Sequence, residues 1–380
     1  MRIAIDARVI ERRMSGIARY LLGFLEYLSC SDNKNQYFLF CYEELSRFKK
    51  MGYKIIATGK NKFLPDKIYN LYWQEFILPS LLKEHKIDVF FNPNHYLPLR
   101  KISSRGAITI HDLAHKIDPS YKSFIYRFLY LEKILPKSIK KADLILTVSE
   151  SSKKDILKYY GNLILKDNIK VIYPSTDERF GSNNYLQNYE LVTNIKKKYC
   201  LPEEFILYVG RIEKRKNIEG IFKIAALLPE KRFVLVGEGG YSGSKELLKK
   251  IKEQKNINHL KFVDDEDLPH IYNLAKIFLF PSFYEGFGLP VLEAMKSGLP
   301  VLTSNTSSLP EVVGEGGIMH GPNDYQKFVK DIRKLFEDEK FYQEMKKRAI
   351  TQAGKFNWKK STEELVEVFE KSFGKEKILC

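Results

Sequence analysis

At 380 residues the chain is long enough for two domains, each with its own core. Its 44% hydrophobic content is that of an ordinary globular protein, and no apolar run approaches the roughly 20 residues that cross a bilayer. The 63 Lys+Arg against 47 Asp+Glu leave a net charge of +16, which suits anionic partners (nucleic acid, a membrane surface, a phosphorylated substrate) or reflects nothing more than a lysine-rich composition.

The chain opens directly on an apolar strand, Arg2–Asp6, so no secretion signal is expected. Cys30, Cys41, Cys200 and Cys380 have neither metal nor redox spacing, and free thiols in a reducing cytoplasm are the expectation. After the first strand comes a loop through Met14-Ser15-Gly16-Ile17. A helix follows from Ala18 towards Leu28, with Ile17, Tyr20, Leu21, Phe24, Leu25 and Leu28 at helical spacing. Gly16 would let the backbone approach a diphosphate, or serve only as a turn glycine, and residue logic alone favours the turn.

Strands at Tyr37–Cys41 and Tyr53–Ala57 precede a helix around Tyr69–Lys83 and a buried strand at Asp88–Phe91. Ala107–Ile110 is another strand, and His111-Asp112 caps its carboxyl end, where an open sheet presents chemistry. His111 there can bind a hydroxyl or simply tie the loop down, with Asp112 as an orienting group. A His-Asp pair also serves metal-dependent phosphohydrolases, but the remaining histidines do not form the ligand set such a site needs. Tyr121–Lys141 interleaves aromatic and basic residues, which suits a helix lying on an anionic membrane surface or a core helix with solvated lysines. Leu144–Glu150 reads as a strand, Ser151-Ser152 as a helix N-cap, and Lys170–Pro174 as the strand that closes the first sheet. The polar stretch Gly181–Tyr189 has linker character.

The second half repeats the pattern. A strand at Phe205–Gly210 runs into Arg211-Ile212-Glu213-Lys214-Arg215-Lys216-Asn217. Glu213, Lys214 and Arg215 read as a solvated charge run, whereas Arg211 and Lys216 sit where a leaving diphosphate would need positive charge. A strand and glycine turn at Phe233–Gly239 follow, then Phe262-Val263 and the acidic Asp264–Asp267, which lacks the oxygen pattern of a calcium loop and is read as non-metal. Ile277–Phe280 is a continuous apolar run, the mark of a strand buried on both faces. Gly286 and Gly288 then allow a tight turn, and Pro290 falls at the start of a helix. Strand, glycine loop and helix N-terminus make a general anion-binding construction. Two carboxylates in it, Glu285 on the loop and Glu293 a turn into the helix, suit the hydroxyls of a ribose and a sugar ring. Val301–Thr303 reads as a strand, with helices from Tyr325, from Phe341 and over Ser361–Phe373.

Glu285 and Glu293, with seven residues between them inside Ser-Phe-Tyr-Glu-Gly-Phe-Gly-Leu-Pro-Val-Leu-Glu-Ala-Met, resemble the nucleotide-sugar signature of the retaining family-four (group 1) glycosyltransferases. Gly298-Leu299-Pro300-Val301, Ser308-Leu309-Pro310-Glu311-Val312 and Gly210-Arg211 with Lys216 five positions on match the same family. The resemblance implies an α/β chain of GT-B fold: two Rossmann-like doubly wound domains with the active site in the cleft between them. The expected division is an acceptor-binding domain over 1–185, a nucleotide-sugar-binding domain over 186–355, and a C-terminal helix over 356–380 that returns to the first domain. By the same resemblance His111, Arg211, Lys216 and Glu285 are catalytic. Gly16, Glu285, Gly286, Phe287, Gly288 and Glu293 hold the donor, and no metal or other cofactor is required.

The implied activity is retaining transfer of a hexose, mannose from GDP-mannose as the first expectation, to a glycan or lipid-linked acceptor in surface polysaccharide assembly. The implied setting is cytoplasmic, with peripheral contact to the inner face of the cell membrane and no nucleic acid. The alternatives are another donor such as a UDP-sugar, or a sugar-nucleotide epimerase of the same architecture. A nucleic-acid binder would leave Glu285 and Glu293 without purpose, and a dehydrogenase would need a Gly-x-Gly-x-x-Gly after the first strand.

Overall fold

The computed structural model describes residues 1–11, 15–61, 63–117, 132–181, 189–239 and 244–374. Close packing divides the chain into two compact units. One takes Met1–Leu113, Ser123–Ser175 and Asn357–Cys380; the other takes Ala114–Lys122 and Thr176–Phe356.

The first unit is built on seven parallel strands: β1 (Arg2–Asp6), β2 (Gln36–Cys41), β3 (Lys54–Ala57), β4 (Val89–Asn92), β5 (Arg105–Ile110), β6 (Leu144–Thr147) and β7 (Ile169–Val171), in the order β3-β2-β1-β4-β5-β6-β7. The second has six: β8 (Ile206–Val209), β9 (Phe233–Val236), β10 (Ile257–Leu260), β11 (Ile277–Phe280), β12 (Val301–Ser304) and β13 (Ile318–His320), in the order β10-β9-β8-β11-β12-β13. Each order reverses once, between β1 and β4 and between β8 and β11. Sheets of this kind bind ligands at that reversal, beyond the carboxyl ends of the strands.

The apolar runs became central strands because a strand covered on both faces has no polar side to show; β4, β6, β9, β11 and β12 are buried along their whole length. The strands missing from the sequence reading, β10 and β13, are both edge strands and only half-buried. Their Asn258, His259 and His320 interrupt any apolar run. The helix over Glu150–Tyr160 is capped by Ser149, whose hydroxyl accepts the Ser152 N–H at 3.0 Å. Ser151 and Ser152 therefore lie inside the first turn and are not the cap. The segment expected as one helix around Tyr69–Lys83 runs as Asp66–Tyr72, a π-turn over Trp73–Ile77, and Leu78–Glu84. Pro79 in the last piece has no N–H to offer the preceding turn, and Leu78 instead donates to the Trp73 carbonyl, a five-residue step.

In the first unit the helix Trp358–Phe373, capped by Asn357, packs along the helix Gly16–Ser31. The closest approach is at Gly23, whose missing side chain makes room for the Trp358 ring. Phe369 meets Phe91 edge-on at 5.5 Å, and Arg105 donates to the Phe373 carbonyl at 2.7 Å. Of the aromatic and basic stretch 121–141, residues 121–131 lie outside the described residues. The remainder contains the helix Leu135–Lys141, which buries Leu135 and Ile139 while Lys137 and Lys140 face solvent.

A methyl added at Gly23 would fall inside the Trp358 indole. Gly23→Ala is expected to lose about 1–3 kcal/mol to overpacking, against which the helix-propensity gain of up to about 1 kcal/mol is the smaller effect. Gly16→Ala, whose methyl meets nothing within 4 Å, serves as the control in the same helix. Urea unfolding of the two variants beside the wild-type chain checks this.

Candidate active site

In the second unit the loops leaving β8 and β11, at the reversal of strand order, carry the candidate residues Arg211, Lys216, Glu285, Gly286, Phe287, Gly288 and Glu293. The first loop ends at Asn217, which adopts the left-handed conformation (φ 55°) and caps the helix Ile218–Ala226 by accepting the Gly220 N–H at 3.1 Å. The Asn217 amide also donates to the Pro281 carbonyl at 3.0 Å, which locks the two loops together. The second loop turns at Gly288, whose φ of 109° a side chain would resist. Gly286 does not share that conformation, so Gly288 alone makes the turn. The helix Leu289–Lys296 follows, with Pro290 in its first turn.

Lys216 and Glu285 form a buried ion pair. The Lys216 ammonium donates to both Glu285 oxygens, at 2.6 and 2.7 Å, and the side chains are 10% and 7% exposed. The Ser282 hydroxyl donates to Glu285 Oε1 at 2.6 Å, and the Arg215 guanidinium stands 3.5 Å from Oε2. Burial pulls the Lys216 pKa down, against the opposing pull of the Glu285 charge. Burial likewise pushes the nearby Tyr208 phenol well above its ordinary value, with the Glu285 and Glu213 charges adding to it.

Arg215 and Glu213 are not the solvated residues the charge run suggested. Glu213 is 2% exposed and accepts Arg215 Nη2 at 2.8 Å, while Arg215 Nη1 donates to the Tyr284 carbonyl at 2.6 Å. Only Lys214 of the three faces solvent. Arg211 is also exposed, on the same loop. The loop after β12 supports the second loop: Glu285 donates its N–H to the Ser307 hydroxyl at 2.8 Å, and Ser308 donates to the carbonyls of Glu285 and Phe287 at 3.0 and 2.8 Å. Glu293 is buried and accepts the Tyr272 hydroxyl at 2.8 Å.

Sequence reasoning missed Arg215, Tyr272, Ser282, Ser307 and Ser308. Arg215 sits inside a run of like-looking charges, and the serines resemble loop filler even where, as at Ser282 and Ser308, they open a family motif. The acidic stretch after β10 is tied to Lys198, whose ammonium meets Asp264 and Asp267 at 2.7 and 2.6 Å.

Gly16 and His111 belong to the first unit. Gly16 begins the helix Gly16–Ser31 behind the Ser15 cap and borders open space. His111 follows β5, and its Nε2 lies 2.8 Å from the Pro93 carbonyl. A carbonyl only accepts, so Nε2 carries the proton and Nδ1 of the neutral ring is left as an acceptor. The Tyr20 ring abuts it edge-on at 4.8 Å. Burial lowers the His111 pKa, with the Pro93 bond and the Asp112 charge opposing. The ring is thus oriented by Pro93 and Tyr20, and Asp112 acts on it through charge.

Residues 193–352 match the family described as Glycosyl transferases group 1, and residues 14–180 match Glycosyltransferase Family 4. The O-antigen chain mannosyltransferase B of Escherichia coli is 34% identical over 302 residues, 76% of this chain and 76% of the relative. The serotype-specific mannosyltransferase WbdA of Escherichia coli is 35% identical over 291 residues, and this alignment takes in 72% of the chain but about a third (34%) of WbdA. Among solved structures, a sucrose-phosphate synthase from Thermosynechococcus elongatus superposes with a TM-score of 0.77 at 17% identity, over 98% of this chain and 99% of that one. Two Rossmann-like units with such neighbours define a glycosyltransferase of the GT-B fold. The chain belongs to the group 1, family-four glycosyltransferases.

The unfolded chain holds a His proton up to about pH 6.5, while the folded chain releases its His111 proton at lower pH. Below about pH 6.5 the unfolded state therefore binds the extra proton, and stability falls as pH drops towards the folded-state pKa. The expected outcome is a His111 imidazole signal titrating below its ordinary range by NMR, and a shallower acid-side stability loss in His111→Gln.

Proposed function

We propose that the chain is a retaining hexosyltransferase that takes mannose from GDP-mannose and passes it to a glycan or lipid-linked acceptor of a surface polysaccharide. The observation that carries the reading is the buried Lys216–Glu285 pair at the reversal of the second sheet, with Glu293 buried in the helix that follows the same loop. Supporting the sugar is the relative named O-antigen chain mannosyltransferase B, 34% identical, and a second from Salmonella typhimurium named O-antigen chain mannosyltransferase RfbU, 27% identical. Arg211 and Lys216 neutralise the charge that builds on the departing diphosphate, the largest electrostatic demand of the reaction. Glu285 and the backbone of Gly286, Phe287 and Gly288 orient the sugar, and Glu293 binds the ribose hydroxyls. Gly16 faces the phosphates, and His111 accepts a sugar hydroxyl at Nδ1.

The bond from the anomeric carbon to the phosphate oxygen breaks as the acceptor oxygen attacks on the same face, and a donor phosphate oxygen takes the acceptor proton. Same-face attack is supported by the engagement of both carboxylates, Glu285 with Lys216 and Ser282, Glu293 with Tyr272. No divalent metal takes part.

Peripheral contact with an anionic membrane is supported by the outer face of the helix Asp66–Tyr72 and the turn that follows. Ile68, Leu71 and Phe76 are 57%, 52% and 47% exposed, although Tyr69 and Trp73 on the inner face already serve the core. Arg100 stacks 3.9 Å over Phe76, while the neighbouring acids are occupied: Asp66 by Lys60 at 2.6 Å, and Glu75 by the N–H groups of Leu99 and Arg100. An apolar face beside a cation such as Arg100 is what an anionic interface attracts. Among the described residues no helix is long and apolar enough to cross a membrane.

Two measurements test this. With EDTA present, GDP and GDP-mannose are expected to raise the melting temperature, and Glu293→Ala, Lys216→Met and Gly16→Ala to reduce the shift. A shift for UDP-glucose instead changes the donor, and no shift for any nucleotide ends the reading. Sedimentation with phosphatidylglycerol vesicles is expected to carry down the wild-type chain and, at equal lipid, markedly less of Ile68→Gln/Leu71→Gln/Phe76→Gln. Equal recovery would place any contact elsewhere.

A further inference from the structure

Lys216 and Arg215 are neighbours in sequence and both face Glu285, but they are held very differently. Both hydrogen bonds of the Lys216 ammonium go to Glu285, from the end of a flexible four-carbon stem. The Arg215 guanidinium is braced on two sides. Nη2 is bonded to buried Glu213 at 2.8 Å and Nη1 to the Tyr284 carbonyl at 2.6 Å, one residue before Glu285. The Arg215 carbonyl is itself bound, accepting the Phe283 N–H at 2.9 Å. Lys216 is thus hydrogen-bonded to Glu285, whereas Arg215 has anchors of its own apart from Glu285.

The resting charges cancel: Glu213 and Glu285 against Arg215 and Lys216. A donor diphosphate brings two or more negative charges to this site and draws Lys216 away from Glu285. Glu285 then loses two hydrogen bonds at once while remaining buried, and a buried carboxylate stripped of its cation is costly unless another cation stays beside it. The group already in place is Arg215, 3.5 Å from Oε2 and short of a full hydrogen bond only by a few tenths of an ångström. The charged and titratable groups facing Glu285 are Lys216, Arg215 and, behind them, Glu213 and Tyr208. Only Arg215 among them is a fixed cation.

We propose that Arg215 is a positioning residue that takes over Glu285 when Lys216 turns to the donor diphosphate, keeping the sugar-binding carboxylate paired and the Tyr284–Glu285 backbone in place. Glu213 is the brace that keeps the guanidinium from following Lys216 to the phosphates. The inference rests on the reading of Lys216 as a diphosphate ligand.

Calorimetry with GDP and GDP-mannose separates the two, since the ratio of their dissociation constants reports the sugar's own contribution. Arg215→Met is expected to leave GDP affinity within about twofold and to lower the sugar-dependent gain about tenfold, the order a lost charged hydrogen bond gives. Arg215→Lys should restore most of the gain, which a purely structural role would not predict, and thermal melts of both variants control for folding. Lys216→Met should lower GDP affinity itself. If Arg215→Met weakens GDP as much as Lys216→Met does, Arg215 is a phosphate ligand and the handover is wrong. If the gain does not move in Arg215→Met, Arg215 is no more than loop packing and the handover is wrong. If Lys216→Met binds GDP normally, the diphosphate reading of Lys216 fails first, whatever Arg215 does.

Discussion

A buried pair of opposite charges, Lys216 and Glu285, is the constraint on which the second unit's loops depend. Taking two ions out of water costs several kcal/mol each, and their mutual attraction offsets that only when the geometry is good and the remaining lone pairs are satisfied. The surrounding residues meet that demand. Ser282 and Arg215 serve the Glu285 oxygens, Ser307 and Ser308 hold its backbone, and Asn217 ties the Lys216 loop to Pro281. None of these contacts can be moved alone, since a buried carboxylate left without its cation is among the costlier defects a protein can carry.

The same constraint bears on function. A site whose cations are already occupied does not attract anions indiscriminately, because an incoming diphosphate must outcompete a well-placed carboxylate. Under the proposed function, a free phosphate offers less in return than a donor that also brings a sugar and a ribose to Glu285 and Glu293. Neutrality at rest thus favours the complete donor over its fragments, and the glycines and helix N-terminus around Gly288 supply backbone donors that need no countercharge. The overall charge of +16 has no part in this, because its carriers are mostly on the outside of the molecule.

Much of this was legible in the residues. Continuous apolar runs identify central strands such as β4, β9 and β11 because burial on both faces leaves no other composition open to them. The spacing of Glu285 and Glu293 around two glycines and a helix-starting proline places two carboxylates at a helix N-terminus, an arrangement with few structural uses. The half-exposed edges β10 and β13 were not legible, since Asn258, His259 and His320 break the run. Nor was Arg215 separable from Lys214, although one is locked between Glu213 and the Tyr284 carbonyl and the other faces solvent. In a loop without regular period, neighbouring charges carry no mark of the direction each will point.

By itself, then, the sequence determined the alternation of strands and helices, the two-unit α/β class, and the family through its glutamate and Gly-Arg-x-x-x-x-Lys motifs. These depend on local pattern: periodicity, turn chemistry and fixed spacing along the chain. Only the tertiary structure decided that Glu285 rests on Lys216, that Glu293 is held by Tyr272, that His111 carries its proton on Nε2 towards Pro93, and that Gly23 exists to admit Trp358. Each of these joins residues from different elements, and whether two such side chains meet is settled by how the elements pack, which no local pattern encodes.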